Sequence, residues 1–181
     1  MSRRTTRRIA LASVFGALIA LGTILSIPFP PPLYAITWAP PIFMALSVLS
    51  GPWSAFLATA VGSFIGESYN IATRGGPPIF IAGIVWARAP ETLIIGWARK
   101  KGWRTIAAAM AVATIYETIA FLIPDWLFYT YGVFGYGTPM ALTAGFYAAL
   151  PDLFTLIDLI YIPVAFAIIR ATERRVGRLD V

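Results

Sequence analysis

The sequence predicts an all-α membrane protein: a six-transmembrane-helix bundle with both termini on the cytoplasmic side. Three observations carry that expectation. Of 181 residues 59% are hydrophobic and 12% charged, with a mean hydropathy of +0.77, far from the balance of a soluble domain of this length. Apolar runs of bilayer-spanning length recur along the chain, separated by charge or by Pro and Gly. Finally, twelve of the fourteen basic residues fall into three clusters. A hydrocarbon core of about 30 Å takes roughly 20 apolar residues per helix, so six spans leave a single integral membrane domain over 1–181 and no soluble one.

The spans are read in order as Ile9–Ile27, Tyr34–Leu49, Trp53–Tyr69, Ile79–Ala98, Thr105–Ile123 and Pro151–Ile169. The first run follows "MSRRTTRR" and resembles a secretory signal. It is longer than a typical signal core, however, and leads into "PFPPP" instead of a small-residue cleavage site, so it reads as the first helix. Pro151 favours a helix start, being tolerated in a first turn. The apolar stretch before it, "TPMALTAGFYAAL" (138–150), either extends the sixth helix or forms a half-helix outside it.

Charge sets the orientation. Arg3, Arg4, Arg7 and Arg8 precede span one; Arg99, Lys100, Lys101 and Arg104 link spans four and five; Arg170, Arg174, Arg175 and Arg178 follow span six. Six spans put all three clusters on one side and leave Arg74 in an opposite loop, so by the positive-inside rule both termini are cytoplasmic; the expected location is the cell (plasma) membrane, crossed several times. The net charge of +6 therefore faces the cytoplasm and the bilayer surface, not nucleic acid. Inner links are short, whereas the outer ones ("PFPPPLYAITW", "NIATRGGPP", "DWLFYTYGVFGYGTP") are rich in Pro, Gly and aromatics. Such loops suit ligand handling, and their Trp and Tyr equally suit an interfacial belt.

The chain has no Cys, His or Gln, and Asn70 is its only Asn. Disulfides, thiolate or imidazole metal sites and Cys or His catalysis are thereby removed, and no metal or cofactor is expected. Small residues recur at four-residue spacing in span one (Ala12, Gly16, Ala20, and separately Ser13, Ala17) and in span three (Ala58, Gly62, Gly66). These stripes allow close helix packing inside the bundle, or on span one the docking of a partner subunit.

Glu67, Arg88, Glu91, Glu117, Asp152 and Asp158 fall within the spans. Each costs about 2.5 to 3.5 kcal/mol at a helix centre, so they must face protein, water or ligand. Arg88 and Glu91, three apart, share a helix face, and Pro90 between them frees the carbonyl of Trp86. The pair reads either as an internal salt bridge or as part of a substrate-binding cluster of Arg88, Glu91, Glu117, Glu67, Asn70, Trp86, Tyr116, Asp152 and Asp158. Five acids against one base, beside Trp86, Tyr116, Tyr69 and Trp38, suit a cationic or hydrogen-bond-donating aromatic ring; a carboxylate meeting Arg88 also fits.

The pattern resembles the substrate-binding S components of energy-coupling factor transporters, which carry vitamins into prokaryotic cells. The resemblance spans nearly the whole chain in length, span count and orientation. Its local carriers are "RRIALASVFGALIALGTILSIPFPPP", "SVLSGPWSAFLATAVGSFIGE" and "ALPDLFTLIDLIYIPVAFAIIR". It implies capture of a small water-soluble vitamin from outside, beneath the first and third outer loops (Pro28–Leu33 and Asn70–Pro78). It further implies a membrane coupling T component and two ATPase subunits as partners, docked through Ala12 and Gly16 or Ser13 and Ala17. The chain has no G-x-x-x-x-G-K-[ST] segment of its own with which to bind ATP. The competing reading is a stand-alone proton- or ion-coupled secondary transporter, since buried Glu and Asp suit proton relays. An intramembrane enzyme would have to rely on paired acids such as Glu117 and Asp158, and no enzyme activity is expected.

Overall fold

A computed structural model of the chain describes residues 3–28 and 35–176. Residues 29–34, most of the proline-rich first outer loop, and Arg178 lie outside the described residues. The order is α1 (Arg3–Ile24), a pair of two-residue strands β1 (Ile27–Pro28) and β2 (Ala35–Ile36), α2 (Ala39–Ser50), α3 (Pro52–Arg74), α4 (Ile79–Ala98), α5 (Trp103–Tyr131), α6 (Leu142–Ala149), a 3-10 segment (Leu150–Tyr161) and α7 (Ile162–Val176). The strands pair antiparallel, Ile27 opposite Ile36. Among the described residues three helical stretches are long and apolar enough to cross a membrane: Ile79–Ala98, Trp103–Tyr131 and the continuous Leu142–Arg175.

The first helix ends at Ile24, not Ile27, because Ile27 pairs as a strand with Ile36; four further spans differ at a boundary, each for a local reason. The second helix starts at Ala39, not Tyr34, because residues 35–36 pair as a strand and Pro40 and Pro41 occupy the first turn, where a missing amide hydrogen costs no helical bond. Its 12 residues cover about 18 Å, short of the ~30 Å core, and ten of them are buried. It is the central strut of the bundle, with Phe43, Met44 and Leu46 fully enclosed. The third helix runs past Tyr69 to Arg74, where Gly75 at φ 82° ends it, so Asn70 sits on a helix and not in a loop. The fifth continues through Pro124 to Tyr131 and stops at left-handed Gly132 (φ 60°). The sixth begins at Leu142, so residues 142–150 extend that helix and 138–141 lie outside it.

Helix contacts follow the small residues. α3 packs chiefly on α4 and α1. A Cβ on Gly62 would lie 2.5 Å from the Gly16 carbonyl, and one on Gly66 2.6 Å from Thr23 Cβ, so glycine there permits the backbones to approach. Ala12 and Gly16 thus belong to the internal α1–α3 seam, where Ala12 packs on the core. Ser13 and Ala17 are exposed on the other face.

The distribution of polarity is inverted relative to a soluble bundle. Thr23, Thr59, Ser63, Thr92, Thr114 and Glu117 are enclosed, while Leu21, Leu57, Phe64, Val112, Ile119 and Ile160 are exposed. Apolar outside and polar inside is the arrangement a hydrocarbon solvent selects.

Candidate functional site

At the end of the bundle away from the α2–α3 and α4–α5 links lies a cavity of about 450 Å³. Each wall is one face of a helix, read off by spacing. α3 supplies Glu67, Asn70 and Arg74; α4 supplies Phe80, Ile84 and Arg88; α5 supplies Phe121, Asp125 and Tyr129. These recur at three- and four-residue steps, so each set stacks along one side of its helix. Ser26 and Thr37, flanking the strand pair, close a fourth side.

The last wall follows a different period. Leu150–Tyr161 winds as a 3-10 helix, three residues per turn, so Asp152, Thr155, Asp158 and Tyr161 eclipse one another. Asp152, Asp158 and Tyr161 are buried, whereas Leu153, Phe154, Leu156, Leu159 and Ile160 are exposed. In an α-helix at about 100° per residue, Tyr161 would turn to the side opposite Asp152. The Thr155 hydroxyl shares its proton between the Asp152 carbonyl and the Thr118 hydroxyl, both at 2.7 Å.

Arg88 forms the floor. It is 6% exposed and donates from Nε to Glu117 Oε1 at 3.0 Å, from Nη2 to the Thr37 hydroxyl at 2.9 Å and from Nη1 to the Thr23 hydroxyl at 3.4 Å. Three of five N–H groups are thus used, two of them on neutral partners. Glu91 and Asp158 both face Glu117, so three carboxyl groups cluster about one guanidinium. No basic group is bonded to either carboxyl oxygen of Glu91. The sequence pairing of Arg88 with Glu91 is therefore replaced: the guanidinium reaches across to α5, and Glu91 lies one turn deeper. Asn70 donates to the Thr23 carbonyl (3.1 Å) and to Glu67 Oε2 (3.3 Å), leaving its buried Oδ1 without a partner.

Of the residues singled out in the sequence, Arg88, Glu67, Asn70 and Asp152 line the cavity. Glu91, Glu117 and Asp158 are buried and belong to the Arg88 cluster without lining it. Trp86 and Tyr116 do not line this cavity. Trp86 is 63% exposed, and the Tyr116 hydroxyl donates to its carbonyl at 3.2 Å. That is the carbonyl Pro90 deprives of its helical donor, so the Tyr116 hydroxyl supplies a donor in its place. Tyr69 is exposed, and Trp38 packs on Tyr161 with ring centroids 5.8 Å apart.

Sequence reading missed Arg74, Asp125, Tyr129, Thr37 and Thr155. Asp125 and Tyr129 were assigned to an outer loop, although their spacing from Phe121 marks one helix face. Arg74 ties α3 to the end of α1, donating to the Ser26 hydroxyl and to the Ile24 carbonyl. Above the cavity wall, Tyr136 in the α5–α6 loop donates to Asp125 Oδ1 at 2.6 Å and packs among Phe80, Phe128 and Tyr129. Burial, then the bond to Asp125, pushes its hydroxyl well above the usual phenol range.

Long apolar helices around a partly charged interior cavity define the class: a helical membrane protein with a polar chamber reached from one end. Comparison of the chain with protein-family models, with curated proteins and with solved structures finds no match.

Proposed function

We propose that the chain is the substrate-binding S component of an energy-coupling factor importer, taking up a small water-soluble vitamin or related micronutrient from outside the cell. In this reading the helices form six membrane crossings with both termini cytoplasmic. The bound molecule is delivered by a coupling subunit and two ATPases. The observation that carries the reading is the cavity itself: about 450 Å³, set at the end opposite the basic clusters and lined by buried Arg88, Asn70 and Asp152. Its volume is in the range of small-molecule sites. The sequence resemblance supplies the partners; the exposed Ser13 and Ala17 on α1 remain the surface for docking.

Purification from native membranes tests this directly. Recovery with a larger membrane subunit and two ATPases, together with ATP-dependent uptake, is the expected result, and mass spectrometry of the gently purified protein should detect the co-purifying substrate. A second reading, a proton-coupled carrier, is favoured by the buried Glu91, Glu117 and Asp158. Uptake by the isolated chain in vesicles, driven by a pH gradient and indifferent to ATP, would establish that carrier and overturn the importer.

A further inference from the structure

We infer that the cavity selects an amphoteric molecule, one carrying an anionic group at one end and an ammonium or N–H-rich group at the other, with an apolar ring between. This rests on the site being the substrate chamber proposed above and names the chemistry of what enters it.

The walls are unlike in charge. Both arginines that line the cavity, Arg74 and Arg88, come from α3 and α4, where Glu67 is the one acid of the lining; the wall from α5 and the 3-10 segment contributes Asp125 and Asp152 and no base. On the basic wall, Glu67 already accepts from Asn70. The terminal nitrogens of Arg88 bond only to threonine hydroxyls, and each keeps a second N–H, the fork that takes a carboxylate bidentately. Arg88 is 94% buried, from its 6% exposure, so that fork is water-poor, and a ligand anion there forms strong charge-assisted bonds.

The charged groups also lie at different depths. Glu117, which holds Arg88, and Asp125 are eight residues apart on α5, about 12 Å of rise. Phe121 lies between them on the same face, and Ile84 stands one turn above Arg88 on α4. The chamber therefore has a guanidinium at its floor with terminal N–H groups to spare, an apolar middle, and an upper end that carries Asp125 and Asp152 beside the already committed Arg74. Charges on adjacent carbons cannot meet both ends; charges separated by a ring can.

Titration calorimetry on the full chain in detergent, with 4-(aminomethyl)benzoate, benzylamine and 4-methylbenzoate, tests the inference. The zwitterion should bind about tenfold tighter than either single-ended analogue. Arg88→Lys should weaken the zwitterion and 4-methylbenzoate while sparing benzylamine, and Asp125→Asn should do the converse. Because the wild-type comparison needs no variant, misfolding of a mutant cannot rescue the idea. Equal affinity for all three, dependence on one charged end only, or no binding at millimolar concentration overturns it. Failure here alongside recovery of the coupling subunit and ATPases leaves the importer standing. Discrimination by the isolated chain together with ATP-independent uptake sinks the importer and keeps the inference.

Discussion

Arg88 and Glu117 make the interior's one ion pair among the described residues, 3.0 Å apart with side chains 7% and 0% exposed. Removing one member of such a pair strands the other, at a cost of about 3–5 kcal/mol, whereas replacing both with apolar groups of similar size is often neutral. Glu117→Ala should therefore lower the thermal unfolding midpoint in detergent sharply. The double variant Arg88→Met/Glu117→Leu should recover most of the loss without recovering ligand binding. A Glu117→Ala protein as stable as wild type would show that the pair does not hold the fold. Glu91 is the opposite case, fully buried, with its carboxyl beside that of Glu117 and no basic group bonded to it. Glu91→Met is expected to stabilise by about 1–3 kcal/mol, the penalty of a buried polar group without a charge partner, read from the same melting curves. The sequence identified the residues of this cluster because charge in an apolar run has to turn inward. It did not identify the partner, since spacing along α4 says which face Arg88 and Glu91 share and nothing about which helix comes to meet it.

Helix identity was legible wherever apolar length decided it, and boundaries were lost where proline had two meanings. Pro40 and Pro41 sit in a first turn, as expected of residues without an amide hydrogen, whereas Pro151 opens the 3-10 segment inside the continuous Leu142–Arg175 stretch instead of starting the helix. Pro90 and Pro124 lie inside helices, which a membrane bundle tolerates when neighbours satisfy the freed carbonyl, as Tyr116 does for Trp86. Ending the fifth span at Ile123 leaves Asp125 and Tyr129 in the following loop, although they continue the helix face of Phe121. The three-residue period of Asp152, Thr155, Asp158 and Tyr161 was visible, but an α-helical template scatters it. Because the chain has no cysteine, single cysteines can report that face. Thr155→Cys should react with a water-soluble thiol reagent, and Leu156→Cys and Ile160→Cys should not; equal reactivity would refute the 3-10 winding. The α1–α3 seam predicts a second effect. Gly66→Ala puts a methyl 2.6 Å from Thr23 Cβ and 2.9 Å from the Ala20 carbonyl, overpacking that should cost about 1–3 kcal/mol in a denaturation series, while Ser13→Ala, on the exposed face, should cost little.

Among the described residues the basic clusters and the cavity sit at opposite ends of the whole molecule, and the position of Arg74 tests whether that polarity is an orientation in a membrane. Of the fourteen basic residues only Arg74 and Arg88 stand apart from the three clusters, and both line the cavity. Arg74 is committed to Ser26 and the Ile24 carbonyl, so its presence away from the clusters has a structural cause and does not weaken the charge asymmetry that fixes topology. On the proposed orientation, with the clusters in the cytoplasm, the cavity opens outward. In intact cells expressing single-cysteine variants, an impermeant maleimide should label Thr73→Cys, which is exposed beside the cavity mouth. It should reach Lys101→Cys, exposed in the α4–α5 link, only after permeabilisation. The reverse pattern would point the chamber at the cytoplasm, where a molecule captured from outside could not enter it, and uptake through this chamber would fail even if every residue contact were correct.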